Sequence, residues 1–301
     1  MKLRKLLVPV AVAVAGALAL TGCGKTGSPT GGGAPSADVT VPVATNVKVD
    51  GSKTFQAMTS RGKVIIGVKE DQPNLGYKDP TTGKYSGFDI YIANAIAAKL
   101  GFGPDKIQYQ PIPSANREQA LTNGQVDYYV GTYTINDKRK KQVSFAGPYY
   151  VAGQDLLVRA DDTSITGPET IKGKVVCSVT GSTPIQNIKE HKDKYGAETR
   201  EFEKYSQCVD ALLNKQVDAV TTDDAILKGY AAQQPGKLKV IGKPFSKEPY
   251  GVGIALSDSA LRGKINDILD GLEKDGSWKK IYDATLGKSG TTAEPPALER
   301  Y

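Results

Sequence analysis

Three features of the sequence predict an α/β fold of two lobes, each a mostly parallel sheet flanked by helices. Apolar strand runs alternate with helical patterns from Phe55 onward, an eight-residue motif recurs in both halves, and 301 residues suffice for two cores. In chain order, "KVIIGVK" (63–69) has the continuous apolar run of a buried strand. "GFDIYIANAIAAKLG" (87–101) spaces apolar residues by three and four and stops at Gly101, the pattern of a helix. "KIQYQPI" (106–112) reads as a strand, "SANREQALTNGQ" (114–125) as a helix with Ser114 as N-cap, and "VDYYVGT" (126–132) as the next strand. The second half repeats the theme with strands at 174–179, 198–202 and 217–223 and helices at 183–196, 206–216 and 224–234. "EPYGVGIALS" (248–257) is a further strand, followed by helices over 258–276 and 277–287.

The repeated motif is "ALTNGQVD" (120–127) and "ALLNKQVD" (211–218), identical at six of eight positions, each a helix end feeding a strand. Ligands of open α/β sheets sit at the carboxyl ends of strands. The two echoed strands therefore deliver "GTYT" (131–134) and "TTD" (221–223) to one cleft from opposite sides. The finishing elements need a partner sheet, and the first lobe supplies one if the chain crosses twice, near 148–155 and 245–250; paired crossings make a hinge. The expected organisation is 54–150 plus 250–288 for lobe 1 and 153–246 for lobe 2.

The ends differ from this body. Residues 1–22 have a basic start (Lys2, Arg4, Lys5) and an apolar run too short to span a bilayer comfortably, as in a signal peptide. "LTGC" (20–23) resembles the lipobox of bacterial lipoproteins, in which the cysteine, here Cys23, is diacylated and becomes the new N-terminus. Removing 1–22 takes the formal charge from +7 to +4, a mild excess that argues against nucleic-acid binding. "GCGKTG" (22–27) contains Gly-Lys-Thr but has Ala19 where a phosphate-binding loop requires glycine. Residues 23–50 are rich in Gly, Pro, Ser and Thr and read as a lipidated flexible tether, and 289–301 as a loose tail. In an exported protein Cys177 and Cys208 either pair, closing a loop worth roughly 3–4 kcal/mol, or remain buried free thiols.

Four segments, "GFDIYIANAIAAKLG", "GTYTINDKRKKQVSFAGPYY", "CSVTGSTP" and "VDAVTTDDAILKGY", resemble in order the polar amino-acid family (family 3) of ABC-transporter substrate-binding proteins. Within it the chain is most similar to glutamate-binding proteins of Gram-positive uptake systems, including the positions of Cys177 and Cys208. The resemblance implies a periplasmic-binding-protein-like (type II) clamp, a monomer without cofactor or metal, lipid-anchored on the outer face of the cytoplasmic membrane. It also implies capture of free L-glutamate, or next aspartate, by domain closure and delivery to ABC permease subunits.

By motif position, Arg139 of "TINDKR" takes the α-carboxylate as a bidentate pair. Thr134, with Ser182 or Thr183 of "GST", completes that carboxylate's hydrogen bonds, while Asp223 and the carbonyl of Thr132 hold the α-ammonium. Lys69 and Arg117 match positions that take the side-chain carboxylate in related acidic amino-acid binders. Three cations (Lys69, Arg117, Arg139) against Asp223 suit a ligand with two carboxylates, whereas glutamine leaves a buried cation unpaired. Lys138, Lys140 and Lys141 then form a solvated face. Two other readings stand beside transport: a ligand sensor for a membrane signalling partner, and a dehydratase-like enzyme on the same fold. The enzyme reading has little support, since the single histidine, His191, falls on a charged surface helix and neither G-x-S-x-G nor H-E-x-x-H occurs.

Overall fold

The computed structural model describes residues 39–301. Two five-stranded sheets share one layout. The first runs Ile107–Pro111, Val64–Val68, Tyr128–Tyr129, Glu248–Ala255, Val143–Ala152; the second runs Glu198–Phe202, Val175–Val179, Ala219–Asp223, Gln154–Arg159, Leu238–Val240. In each, four strands point one way and one is reversed. The reversed strand is in both cases one that has just crossed between lobes: Gln154–Arg159 entering the second, Glu248–Ala255 returning to the first. Val143–Ala152 and Gln154–Arg159 together form the outgoing crossing, expected from the sequence only near residues 148–155.

The echoed octapeptides are one structural device used twice. In each, the chain leaves its helix through a left-handed residue, Gly124 (φ 65°) or Lys215 (φ 58°). The next amide then donates to the first residue of the octapeptide, Gln125 N to Ala120 O at 2.9 Å and Gln216 N to Ala211 O at 2.8 Å. The closing aspartates bind the start of the neighbouring parallel strand, Asp127 Oδ2 accepting from Ile65 N at 2.6 Å and Asp218 Oδ2 from Val175 N at 2.8 Å. The register of each central strand, Tyr128–Tyr129 and Ala219–Asp223, is pinned in this way.

Helix Phe88–Lys99 is apolar on nearly all sides and lies buried in the first lobe's core; Trp278 and Tyr282 of the last helix, Ser277–Ala284, close that core over Phe88. In the second lobe Cys177 and Cys208 form a disulfide joining strand Val175–Val179 to helix Tyr205–Leu213. No helix among the described residues is long and apolar enough to cross a membrane.

Several local expectations are corrected. The helix expected over 114–125 is a 3-10 turn, Ser114–Asn116, followed by a short helix Arg117–Thr122, and Ser114 caps neither. Residues 39–50 pack on the first lobe: Val49 is buried, Val39, Val41 and Val47 lie against the core, and Ala44 N donates to Ala98 O at 2.9 Å. Spaced valines suffice to anchor a segment otherwise composed as a linker. The tail also docks. Leu298 packs on the core, Glu299 N donates to Gly147 O at 2.8 Å, and Phe145 N donates to the Tyr301 hydroxyl at 2.9 Å. It thus covers the outer edge of strand Val143–Ala152, which would otherwise expose unpaired backbone groups. Residues 1–22 and Cys23 lie outside the described residues.

Candidate functional site

The strand after the first echo continues into Gly131–Thr134, and that after the second ends at Asp223. They meet through Tyr250: its backbone bridges to Thr134, and its hydroxyl donates to Asp223 Oδ2 at 2.6 Å. The cleft beside this junction encloses about 600 Å³ and is lined by Ser114, Arg139, Ser182, Thr183 and Glu248 among others.

Arg139 is placed by a four-residue helix, Asp137–Lys140, whose N-cap Asn136 accepts from the Arg139 amide at 2.9 Å. The turn buries Arg139 to 6% exposure, while Lys138 and Lys141 stay exposed. Lys140 is half-buried, 3.7 Å from Glu299 with its ammonium over the Tyr301 ring, so it does not belong to a freely solvated face. The Arg139 guanidinium donates to Thr134 O at 2.6 Å and Gly181 O at 3.0 Å and pairs with Glu118 at 3.3 Å. Burial, then the charge of Arg117, pushes its pKa down to about 10.

Arg117 is also buried and donates to Ser114 O at 3.0 Å, Thr132 O at 3.2 Å and Gly181 O at 3.3 Å. Both guanidiniums lie over the ring of Tyr133, at 4.4 and 5.0 Å from its centre. Lys69 donates to Ser114 Oγ at 2.8 Å, the role this serine takes instead of capping. Burial first, then Arg117, lowers the Lys69 ammonium to about 7. Thr132 sits in the left-handed region at φ 45°, a conformation that costs a β-branched residue about 1–3 kcal/mol. Asp89 accepts its amide at 3.0 Å and Gln72 bonds its hydroxyl at 3.2 Å. This aims the Thr132 carbonyl at Arg117.

From the second lobe, Ser182 caps helix Thr183–Glu190 by accepting from Ile185 N, and its hydroxyl lies 3.2 Å from that of Ser178. Asp223 does not cap the helix it precedes. Its Oδ1 is buried with no hydrogen-bond partner among the described residues, and burial first, Glu248 second, raise its carboxyl well above the usual range. A buried acceptor of this kind fits an ammonium.

The lobes meet at several points. Gly181, at φ 79°, stands so close to Ala115 that a Cβ would lie 2.6 Å from the Ala115 Cα. On another side, Asp71 accepts from Ser206 N at 3.2 Å and from the Tyr230 hydroxyl, and Glu70 pairs with Lys204 at 2.6 Å.

Of the eight residues expected from sequence, Arg117, Arg139, Thr132, Thr134 and Lys69 form one connected group. Thr183 joins it at 3.3 Å from Thr134 Oγ1, and Asp223 joins through Tyr250, whereas Ser182 faces Ser178. Sequence reasoning missed Ser114, Gly181, Glu118, Tyr250 and Glu248. Two of these are acids, so the count of three cations against Asp223 alone is incomplete.

Two lobes hinged by paired strands, with Arg139 lining the cleft between them and Arg117, Lys69 and Asp223 buried close behind it, define a solute-binding clamp. Residues 64–288 match the family described as bacterial extracellular solute-binding proteins, family 3, and the chain belongs to that family. It is 39% identical over 255 residues to glutamate-binding protein GluB of Corynebacterium efficiens, covering 81% of this chain and 86% of that protein. It is also 39% identical over 229 residues to the ABC transporter glutamine-binding protein GlnH of Bacillus subtilis, covering 76% and 83%. A solved ancestral arginine-binding protein bound to arginine superposes with TM-score 0.71 at 38% identity, covering 75% of this chain and 99% of that one.

Proposed function

We propose that this protein captures an acidic amino acid, glutamate before aspartate, by lobe closure and delivers it to ABC permease subunits from a lipid anchor at Cys23. The carrying observation is the buried trio Lys69, Arg117 and Arg139. Burial depresses the pKa of Lys69 and of Arg139, and the neighbouring arginine charge depresses each further in spite of the acids nearby. A ligand with two carboxylates relieves that repulsion. Its α-carboxylate pairs with Arg139, its side-chain carboxylate with Arg117 and Lys69, and its ammonium with Asp223 Oδ1. Gly181 O, from the second lobe, receives one N–H from each guanidinium, and each guanidinium keeps further N–H groups for the carboxylates. Lobe 1, taken as 54–150 plus 250–288, binds first; lobe 2, 153–246, then closes and strengthens each charge pair by excluding water. Named relatives that bind glutamate support this reading.

Glutamine is the second reading, favoured by Glu118 and Glu248, whose charges both act on Arg139, and by the likeness to GlnH. Calorimetric titration with L-glutamate and L-glutamine separates the two: a neutral amide that binds as tightly as the acid, or more so, overturns the first. Transport, as against sensing for a signalling partner, is tested by L-glutamate uptake in a deletion strain, which the proposal expects to fall.

A further inference from the structure

Glu248 is the first residue of the returning strand and is 4% exposed. Three hydroxyls converge on it. Ser246 Oγ donates to Oε1 at 2.6 Å; Thr134 Oγ1 and Thr183 Oγ1 donate to Oε2 at 2.8 and 2.6 Å. Their origins differ: Thr134 belongs to the first lobe, and Thr183 opens a helix of the second. Ser246 lies at the hinge, where its oxygen also accepts from Gln154 N of the outgoing crossing at 3.0 Å. One carboxylate therefore joins both lobes and both hinge strands.

The chemistry of that junction is directional. An ionised carboxylate only accepts, and a hydroxyl carries a single proton. Each hydroxyl bonded to Glu248 has thereby committed its proton, and the longer 3.3 Å contact between Thr183 and Thr134 does not compete with bonds of 2.6 and 2.8 Å to an anion. Thr134 and Thr183 can turn only lone pairs toward the cleft. Lone pairs repel a carboxylate and accept from N–H groups, which reverses the part expected of these threonines from sequence.

We infer that Glu248 is a positioning residue for the ligand's ammonium: by fixing two hydroxyl protons, it presents one acceptor from each lobe beside Asp223. This rests on the amino-acid-binding reading above. The carboxylates of the ligand are left to the N–H donors of Arg139 and Arg117.

The test is a double-mutant cycle on the full chain, read by calorimetry with L-glutamate. Glu248→Gln keeps the shape but supplies an amide that donates, freeing the hydroxyls to turn. It is expected to weaken L-glutamate at least tenfold, Thr183→Val by less, and the double variant no more than Glu248→Gln alone. Additive losses, or an unchanged Glu248→Gln, overturn the inference. Glutarate, which has both carboxylates and no ammonium, is measured by competition and should bind wild type and Glu248→Gln within about twofold of each other. An equal loss for both ligands means that Glu248 supports only the fold or closure. Should Glu248→Gln not fold, Thr134→Val and Thr183→Val are each expected to lower L-glutamate affinity and spare glutarate, and the opposite pattern refutes the assignment. A wild-type protein that binds no amino acid defeats the underlying reading, whereas equal L-glutamate binding by wild type and Glu248→Gln defeats this inference alone.

Discussion

Gly181→Ala perturbs closure at a single point. Gly181 has φ 79°, and a Cβ there would stand 2.6 Å from Ala115 Cα, 2.8 Å from Ala115 N and 3.1 Å from Ser114 C, all backbone of the opposite lobe. Backbone cannot swing aside, so the lobes must part by about 0.8 Å or more to reach ordinary contact. That displacement stretches the bonds from Arg139 and Arg117 to Gly181 O, at 3.0 and 3.3 Å, past useful length. Hydrogen bonds to charged groups are each worth about 1.5–3 kcal/mol, and a closed state weakened by about 2–4 kcal/mol loses roughly 30- to 1000-fold in affinity. Calorimetry with L-glutamate gives the affinity, and small-angle scattering with ligand present shows whether the lobes close. The left-handed backbone of alanine carries its own cost, about 1–2 kcal/mol. Gly173→Ala isolates that cost, because Gly173 has φ 72° and nothing within 4 Å of a new Cβ. Gly181→Ala binding L-glutamate within about threefold of wild type would refute the reasoning.

Arg139→Ala removes the proposed carboxylate partner, leaves Glu118 and Thr134 O without its guanidinium and leaves Gly181 O with Arg117 alone; it should cost about 3–5 kcal/mol of binding, measured by the same titration. Lys69 gives a pH signature. Its pKa falls from 10.5 in the unfolded chain to about 7 when folded, so between these values the unfolded chain holds the extra proton. Stability from this group is full above 10.5 and is lost as pH falls toward 7, with a slope of at most about 1.4 kcal/mol per pH unit. Chemical denaturation at pH 7.5 and 9.5 should show the slope in wild type and its absence in Lys69→Met. A ligand carboxylate beside Lys69 raises its pKa, so L-glutamate should bind with proton uptake above pH 7 and weaken from pH 7 to 9, again not in Lys69→Met. Replacing Cys177 and Cys208 by serine opens a link across 31 residues of sequence. Chain entropy puts the loss at roughly 3–4 kcal/mol, readable as an earlier urea midpoint.

The layout of the lobes was legible because it depends on local signals. Strand and helix periods are written in short windows, and the repeated octapeptide encodes a helix exit, a left-handed residue and an aspartate that pins the next strand. Arg139 was legible by resemblance alone, since nothing in "DKRKK" distinguishes it from Lys138 until the short helix turns it inward. What escaped depends on partners far along the chain. Glu248 stands 114 residues from Thr134 and 65 from Thr183, and Gly181 matters only because Ala115 faces it. Ser114 carried a helix-cap signal that its bond to Lys69 overrode. The tail and residues 39–50 were read by composition, which undercounts a few spaced valines or one leucine when an open core edge waits for them.

The central claim is that three buried cations select a ligand with two carboxylates. It is met most directly by titrating the purified protein with L-glutamate and L-glutamine at pH 7 in a calorimeter. One L-glutamate should bind per chain at least tenfold more tightly than L-glutamine, a gap of about 1.4 kcal/mol or more. L-Glutamine binding as tightly as L-glutamate, or more so, would contradict it.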